Sequence, residues 1–442
     1  MLSEFQEILN KTPEKLQVKH KMSIPNDDIL IYQGTIYIKV DDKIYSYKDA
    51  KITLKWKPSH KYIFEFVPSK EVAYLIEAFL FGKSNQVAVG VDGTVFYDAS
   101  FYSLNDEVYK IFTKKVELGI RPKKFKYVEF DLPNTNSMLG ELIKSGKNVL
   151  LERFTIRTNK VIITIDMDDD FSAKARQLRY HEGILTNARC RIDFKQSSSH
   201  EQMTQECQCF NYFISFILGR WTSMFCIEVD DNYKLYYAPY IQSFQYHSDK
   251  FNSSFNSNGL DDAFTIFSKM WRGSKDNAFL KKVIEWYTDI SIAQKQHDAS
   301  IILGQTTLEL MYNHLLKNEN LYLVGKDAES IATENKIRLL LKHFEIKSKL
   351  PEKYKKILAK FSEKSDFVDG PMLIAKVRNA YVHGQLQSEY FQLSTDEIYL
   401  VYDLVTAYIE LVMIKMLNIR LNYHWRLKEF ENYGKERNLK ES

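Results

Sequence analysis

Three polar side chains that could act together on a phosphate group lie near the end of one helical segment. The segment is LIAKVRNAYVHGQ, residues 373–385, and the side chains are Arg378, Asn379 and His383. At about 100° per residue, Asn379 and His383 fall at about 240° and about 280° from Leu373, opposite the apolar face of the helix. A histidine can transfer protons near neutral pH, and a guanidinium can hold a phosphate through two hydrogen bonds. The residue types therefore predict acid–base chemistry, although an ordinary solvated face would carry the same pattern.

The sequence also indicates where this helix begins and ends. Pro371 suits the first turn, where its missing N–H group is not needed, and Gly384 suits the position just after the last turn. His383 would then lie at the C-terminal end, where the helix dipole favours the protonated imidazole. Two side chains four residues apart would stack there and point away from the core.

The overall composition excludes a strong electrostatic role for the whole chain. The 442 residues carry a formal net charge of +4, with 27% charged and 45% hydrophobic residues. Such a chain is long enough for two or three domains with large cores. Because the net charge is small, any nucleic-acid binding must come from a local site rather than from the overall field.

The hydrophobic period divides the chain into two regions. From about residue 20 to 175, apolar and polar residues alternate, which predicts an antiparallel sheet or sandwich with polar outer faces. Residues 176–247 are mixed, and 248–262 form a Ser/Asn-rich linker. Beyond it, apolar residues recur with a helical period of about 3.6. We therefore predict an α+β protein, with a β-rich domain over 1–255 and an all-α bundle over 256–442.

Other patterns that could carry chemistry are weaker. The acidic run ITIDMDDDF contains Asp166 and Asp168, and Asp193 follows with Lys195, a weak likeness to the metal-dependent PD-(D/E)xK nucleases. A strand end with a solvated turn is the simpler interpretation. Cys207 and Cys209 are two residues apart, so on a helix their sulfurs would point apart, and we expect buried, reduced thiols. No metal or cofactor is predicted.

The N-terminus and the hydrophobic segments argue against export and against a membrane protein. The opening MLSEFQEILNKTPEKLQ is not arranged as a signal peptide. The longest apolar candidate, YLVYDLVTAYIELVMIKML, is interrupted by charged residues. We expect a soluble protein of the cytoplasm.

The motif and its context resemble a known superfamily. RNAYVH, an Arg followed by Asn with His five positions after the Arg, looks like the signature of the HEPN proteins, helical bundles that include many metal-independent ribonucleases. Its place late in an all-α region, before the long helix STDEIYLVYDLVTAYIELVMIKML, is similar to that family's layout. Upstream, IILGQTTLELMYNHLL resembles an earlier family helix that often carries an acidic residue, which here would be Glu309. Gln385 stands where related toxins often have a tyrosine that a partner modifies, so such modification is not expected.

The order of the two regions resembles the ApeA-like anti-phage proteins, which join a β-rich N-terminal domain to a HEPN bundle. The resemblance implies a homodimeric, metal-independent endoribonuclease of bacterial anti-phage defence, without cofactor, whose β-rich domain senses a phage-derived trigger. Arg378, Asn379 and His383 would be catalytic, with Glu309 in support. The helix in FNYFISFILGRW would close the N-terminal module. The alternative is a non-catalytic HEPN module that binds RNA or nucleotides, or dimerises, in a regulatory protein.

Overall fold

The computed structural model divides the chain into two compact units. One unit comprises Met1–Asn211 with Trp221–Tyr246, and the other comprises Tyr212–Arg220 with His247–Ser442. The structure describes residues 11–80, 87–91, 95–104, 108–136, 138, 140–146, 148–229, 233–238, 243, 260–292, 297–319, 325–361, 369–385, 387–419, 427 and 429–430. The predicted linker at 248–262 lies outside the described residues up to position 259.

The first unit is built from two antiparallel sheets. The seven-stranded sheet has the order β5-β4-β1-β2-β3-β7-β6, and the eight-stranded sheet has the order β10-β11-β12-β13-β9-β14-β15-β8. The strands of the first sheet are β1 (Ile29–Val40), β2 (Lys43–Lys55), β3 (Lys61–Phe66), β4 (Val87–Val91), β5 (Tyr97–Asp98), β6 (Ser100–Leu104) and β7 (Tyr109–Thr113). Those of the second are β8 (Val116–Gly119), β9 (Phe125–Pro133), β10 (Glu141–Ser145), β11 (Asn148–Arg157), β12 (Val161–Met167), β13 (Thr186–Ser198), β14 (Phe225–Val229) and β15 (Tyr233–Tyr236).

Helices also belong to this part of the chain. They are α1 (Lys70–Leu80), α2 (Phe171–His181) and α3 (His200–Leu218). The first two were not predicted, because each is a short helix between strands. Helix α3 begins with a capping box: the Ser199 hydroxyl accepts from the N–H of Gln202, whose side chain accepts from the N–H of Ser199.

The second unit is helical, as the change of period predicts. Its α-helices are α4 (Leu260–Arg272), α5 (Ser274–Ile292), α6 (His297–Tyr312), α7 (Gly325–Ser330), α8 (Thr333–His343), α9 (Lys355–Phe361), α10 (Gly370–Val382) and α11 (Thr395–Met416), with a π-helical turn at Asn313–Glu319 and a 3-10 turn at Glu352–Tyr354. The predicted α+β succession, β-rich and then helical, is confirmed. No α-helix in the described ranges is long and apolar enough to cross a membrane.

The end of α3 differs from the expectation drawn from the resemblance. Tyr212–Arg220 belongs to the helical unit rather than to the β-rich one. The ring of Phe213 lies 5.1 Å from that of Phe264 and 5.3 Å from that of Phe267, both on α4. These aromatic contacts hold the segment in the helical unit because they remove large apolar surfaces from water.

One face of the second sheet carries buried charges, so the prediction of polar outer faces is wrong there. Arg153, Asp166, Arg189 and Asp131 occupy paired positions on β11, β12, β13 and β9. Arg189 and both aspartates are fully buried. Each arginine is paired with a carboxylate, at 2.6 Å between Arg153 Nη2 and Asp166 and 3.0 Å between Arg189 Nη1 and Asp131. Buried charges persist only when they are paired and hydrogen-bonded, as they are here.

The N-terminal segment covers part of this charged row. The N–H of Leu16 donates to Asp166 at 2.7 Å, and the N–H and ring of His20 both lie 2.9 Å from Asp131. The aspartates of the acidic run therefore form structural contacts. Asp166 binds Arg153 and the main-chain N–H of Leu16. Asp168 pairs with Lys174, and Asp169 lies 2.9 Å from Lys15 Nζ. The strand end and the solvated turn that the sequence suggested are present, with Asp169 and Asp170 exposed in the turn, whereas Asp166 and Asp168 are buried.

The buried carboxylates make the stability of the β-rich unit depend on pH. Burial alone would raise the pKa of Glu228, but hydrogen bonds from Lys19 and Lys234 and the charge of Arg189 hold it at about 2. The pKa of Asp131 is also lowered, because His20 and Arg189 outweigh its burial. A carboxyl group with a depressed native pKa stabilises the fold above its unfolded pKa, and this contribution is lost as the pH falls through the native value.

We therefore expect the free energy of unfolding to decrease as the pH falls from 6 to 3, by on the order of 1–3 kcal/mol for such a group. Urea unfolding at both pH values measures the change. In Glu228→Gln the pH dependence should be weaker than in the parent protein. An unchanged slope would contradict the assignment to Glu228.

Candidate active site on helix α10

The start of α10 is fixed by a buried aspartate. Asp369 accepts from the N–H of Met372 at 3.0 Å, which caps the helix. The same carboxylate receives two hydrogen bonds of 2.8 Å from Arg338 on α8. A capped helix end that is also held by a bidentate ion pair has little freedom to tilt. The direction of α10, and so the placement of its far end, follows from these contacts.

Close packing adds to this constraint. A Cβ atom at Gly370 would lie 2.1 Å from the hydroxyl oxygen of Tyr408 on α11, so only glycine fits at this approach. The N–H of Gly370 donates to the carbonyl of Ser348 at 2.8 Å, and the Tyr408 hydroxyl donates to that same carbonyl at 3.3 Å. The helix is therefore fixed at its first residue to both its neighbouring helix and the preceding chain.

The far end of α10 closes as the sequence predicts. His383 is the residue that ends the helix, and its N–H donates to the carbonyl of Asn379 at 3.0 Å. Gly384 has a φ of +59°, in the left-handed region, and the N–H of Gln385 returns to the carbonyl of Ala380 at 2.9 Å. These bonds satisfy the last carbonyls of the helix and fix the backbone of His383.

The three predicted site residues differ in their exposure to solvent at this end of the helix. Asn379 and His383 are exposed, whereas Arg378 is half-buried. Arg378 Nη1 donates to Asn379 Oδ1 at 3.1 Å, so the guanidinium and the amide are hydrogen-bonded to each other. No hydrogen bond or ion pair engages the His383 ring within the described part of the chain. An exposed imidazole with both nitrogens available can accept or donate a proton to a ligand.

Glu309 is held elsewhere. Its carboxylate accepts from the Gln305 amide at 2.9 Å and from the Thr333 hydroxyl at 3.2 Å, and it lies 3.8 Å from Lys336 Nζ. Glu309 thus ties α6 to α8. Within the described residues, no hydrogen bond or ion pair joins it to Arg378, Asn379 or His383, so its contacts favour a structural role.

Sequence reasoning missed two groups: the hydroxyl of Tyr381, within the motif, and the carboxylate of Asp298, on α6. Tyr381 is partly exposed rather than fully buried, and its ring lies 5.1 Å from that of Phe391. Burial and, to a smaller extent, the charge of Asp298 raise the pKa of its hydroxyl. Asp298 lies in the first turn of α6 and is exposed. At about 100° per residue, Tyr381 falls about 80° from Leu373, on the apolar face of the helix, so the wheel gives no signal for its hydroxyl.

The cysteines and another histidine form no part of this arrangement. All four cysteines are buried and form no disulfide, which confirms the expectation of buried thiols. His314 Nε2 lies 3.0 Å from Asp276, and its ring stacks on Phe279 at 4.0 Å. Within the described ranges, no group of three or more histidine, cysteine, aspartate or glutamate side chains is arranged to hold a metal ion.

Comparison with known families gives two matches. Residues 121–246 are similar to the YopA central domain, and residues 274–437 are similar to the YopA C-terminal domain. The first match covers the second sheet from β9 onward, and the second covers the helices from α5, including the Arg-Asn-His segment. No curated protein and no solved structure matches the chain. The two family descriptions name domains and state no activity.

Proposed function

We propose that this protein is a metal-independent endoribonuclease of the HEPN type that acts in the cytoplasm in bacterial anti-phage defence. The observation that supports the proposal best is the end of α10, where His383 is exposed and its ring forms no hydrogen bond with any described residue, beside the Arg378–Asn379 pair. A helix fixed at its start and closed at its end can hold these groups in place without a cofactor. Neither family match opposes this function.

The residue types suit cleavage by the ribose 2′-hydroxyl. The 2′-oxygen attacks the adjacent phosphorus while the bond to the 5′-oxygen breaks, which gives a 2′,3′-cyclic phosphate and a 5′-hydroxyl end. A base takes the proton from the 2′-hydroxyl and an acid supplies one to the leaving oxygen, and His383 can fill either role. Arg378 neutralises the charge that develops on the phosphate, and Asn379 keeps the guanidinium oriented.

Two protons must move, so a single histidine per site is short of one partner. A homodimer in which two copies of the α10 end face one cleft would supply both an acid and a base. The exposure of His383 and of Val382, which is 45% exposed, is compatible with such a face. RNA is the proposed substrate, and a second copy of this chain is the proposed partner.

The experiment that tests the nuclease is cleavage of mixed single-stranded RNA by the purified full chain in EDTA. We expect cleavage to continue in EDTA and to be unchanged by added Mg²⁺, because Arg378 and His383 supply the charge and the proton transfer. Activity that disappears in EDTA and returns with Mg²⁺ would contradict a metal-independent site.

A nuclease of this kind must be silent in a healthy cell, and the β-rich unit is the proposed sensor that restrains it until a phage-derived trigger binds. We expect residues 256–442 alone to be more toxic to cells than the whole chain. The fragment lacks Tyr212–Arg220, so its folding is checked by circular dichroism before toxicity is compared. A folded fragment with equal or lower toxicity would contradict restraint.

A further inference from the structure

Two hydrogen-bond donors on α10 are enclosed and have no acceptor within the described part of the chain. They are Nε of Arg378 and the hydroxyl of Tyr381. The two residues are three positions apart on α10, so their side chains lie on the same side of the helix about one turn from each other. A buried donor without an acceptor costs about 1–3 kcal/mol. Native proteins rarely leave such groups unsatisfied, so an adjacent pair requires an explanation.

The surroundings of Tyr381 keep its hydroxyl available as a donor. Its ring lies against Phe391, and among the described residues no side chain or carbonyl accepts from the hydroxyl. Burial and the nearby charge of Asp298 raise the pKa of Tyr381, so the hydroxyl stays protonated at physiological pH. The contribution of Asp298 also indicates that the hydroxyl lies toward the first turn of α6, which packs against α10.

We propose that Tyr381 is a further substrate-binding residue, whose hydroxyl donates together with Arg378 Nε to one non-bridging phosphate oxygen of the bound RNA. This inference rests on the proposed function and names a contact within the same site. Both side chains are partly exposed, so the phosphate reaches them from the solvent side after a shift of the side chains. Two donors on one oxygen hold the phosphate on the Tyr381 side of α10, and Nη1 of the same guanidinium reaches Asn379, on the side of the helix that carries His383.

Asp298 provides a matched control. Its carboxylate is exposed, so solvent and salt screen its repulsion of a phosphate. Asp298→Asn removes a negative charge near the proposed contact without removing a donor. We expect this change to leave RNA affinity the same or to increase it slightly, whereas loss of the Tyr381 hydroxyl decreases it.

The test compares Tyr381→Phe with its parent in the full chain, using His383→Ala as the background so that RNA is bound and not cut. Fluorescence anisotropy with a labelled single-stranded RNA gives the affinity. We expect binding to weaken by about tenfold, the effect of losing one hydrogen bond to a charged group. The thermal midpoint should stay the same or rise, because the deleted hydroxyl has no hydrogen-bond partner among the residues that the structure describes.

A double-mutant cycle then tests the pairing. In an Arg378→Lys background, which lacks Nε, Tyr381→Phe should cost clearly less affinity than it does alone. Equal affinity of the Tyr381→Phe and parent proteins, with wild-type cleavage intact, would overturn the inference alone. A lowered thermal midpoint with unchanged affinity would assign the hydroxyl a structural role. A His383→Ala protein that binds no RNA, together with a wild type that cuts none, would overturn the proposed function itself.

Discussion

Replacement of His383 by Ala is expected to decrease RNA cleavage by about 10³-fold or more, because proton transfer by a positioned side chain contributes about 10²–10⁴-fold and the site offers no other imidazole on α10. The fold should be unaffected. The ring is exposed and makes no hydrogen bond in the described structure, and the helix end is held by backbone bonds that alanine also makes. The measurement is the single-turnover cleavage rate, with the thermal midpoint determined in parallel.

Gln385→Ala is the matched control for this change. Gln385 is also exposed and lies in the same turn, two residues beyond His383. We expect its cleavage rate to remain within about threefold of the wild type. A His383→Ala protein that cuts as fast as the Gln385→Ala protein would contradict the catalytic role. In that case the same helix end would be better explained as a non-catalytic RNA-binding or dimerisation surface.

Replacement of Arg189 by Met is expected to cause the largest loss of stability in the β-rich unit. Its guanidinium is fully buried and reaches Asp131 at 3.0 Å, Glu228 at 2.5 Å and Glu129 at 3.1 Å. Removing the cation leaves buried carboxylates without their main counter-charge, which typically costs about 3–5 kcal/mol. Urea unfolding at pH 7 measures the change in the free energy of unfolding.

Arg191→Met is the comparison that isolates burial. Arg191 lies on the same strand, pairs with Glu129 at 3.0 Å and with Asp193 at 2.8 Å, and stacks on Tyr127, but its side chain is 31% exposed. Ion pairs that are open to solvent contribute about 0–1 kcal/mol. We therefore expect a loss of about 1 kcal/mol. Equal losses in the free energy of unfolding for the two substitutions would show that burial does not increase the contribution of the ion pairs to stability.

The Arg189→Met protein also tests whether the proposed restraint of the nuclease depends on the stability of the β-rich unit. If the β-rich unit restrains the nuclease, weakening that unit should increase toxicity in cells while the α10 site stays intact. Arg191→Met should have little effect on toxicity. A destabilised Arg189→Met protein with wild-type toxicity would indicate that restraint does not depend on the stability of this sheet.

The ends and faces of α10 could be predicted from sequence because they depend on local chemistry. Pro371 and Gly384 mark conformations that few other residues favour, and the helical period orients Asn379 and His383 away from the core. The same reasoning predicts the change from strands to helices, since that depends only on the spacing of apolar residues. These features need no knowledge of distant contacts.

The features that sequence reasoning missed depend on distant parts of the chain. Alternation along β12 and β13 shows which residues of each strand share a face, but not that Asp166 is paired with Arg189 or that residues 13–20 cover this row. Glu309 matched a family pattern, yet its partners Thr333 and Lys336 lie on α8, out of reach of any local rule. The state of the Tyr381 hydroxyl depends on what packs around α10, which a helical wheel does not contain.

The most direct test of the central claim is the chemistry of the cut. The purified protein is incubated in EDTA with a single-stranded RNA and with the same sequence carrying 2′-O-methyl groups throughout, and the ends of the products are analysed by mass spectrometry. The account predicts that only the unmodified RNA is cut and that the products carry 2′,3′-cyclic phosphate and 5′-hydroxyl ends. Cleavage of the methylated RNA, or products with 5′-phosphate ends, would contradict attack by the 2′-hydroxyl at the Arg378–His383 site.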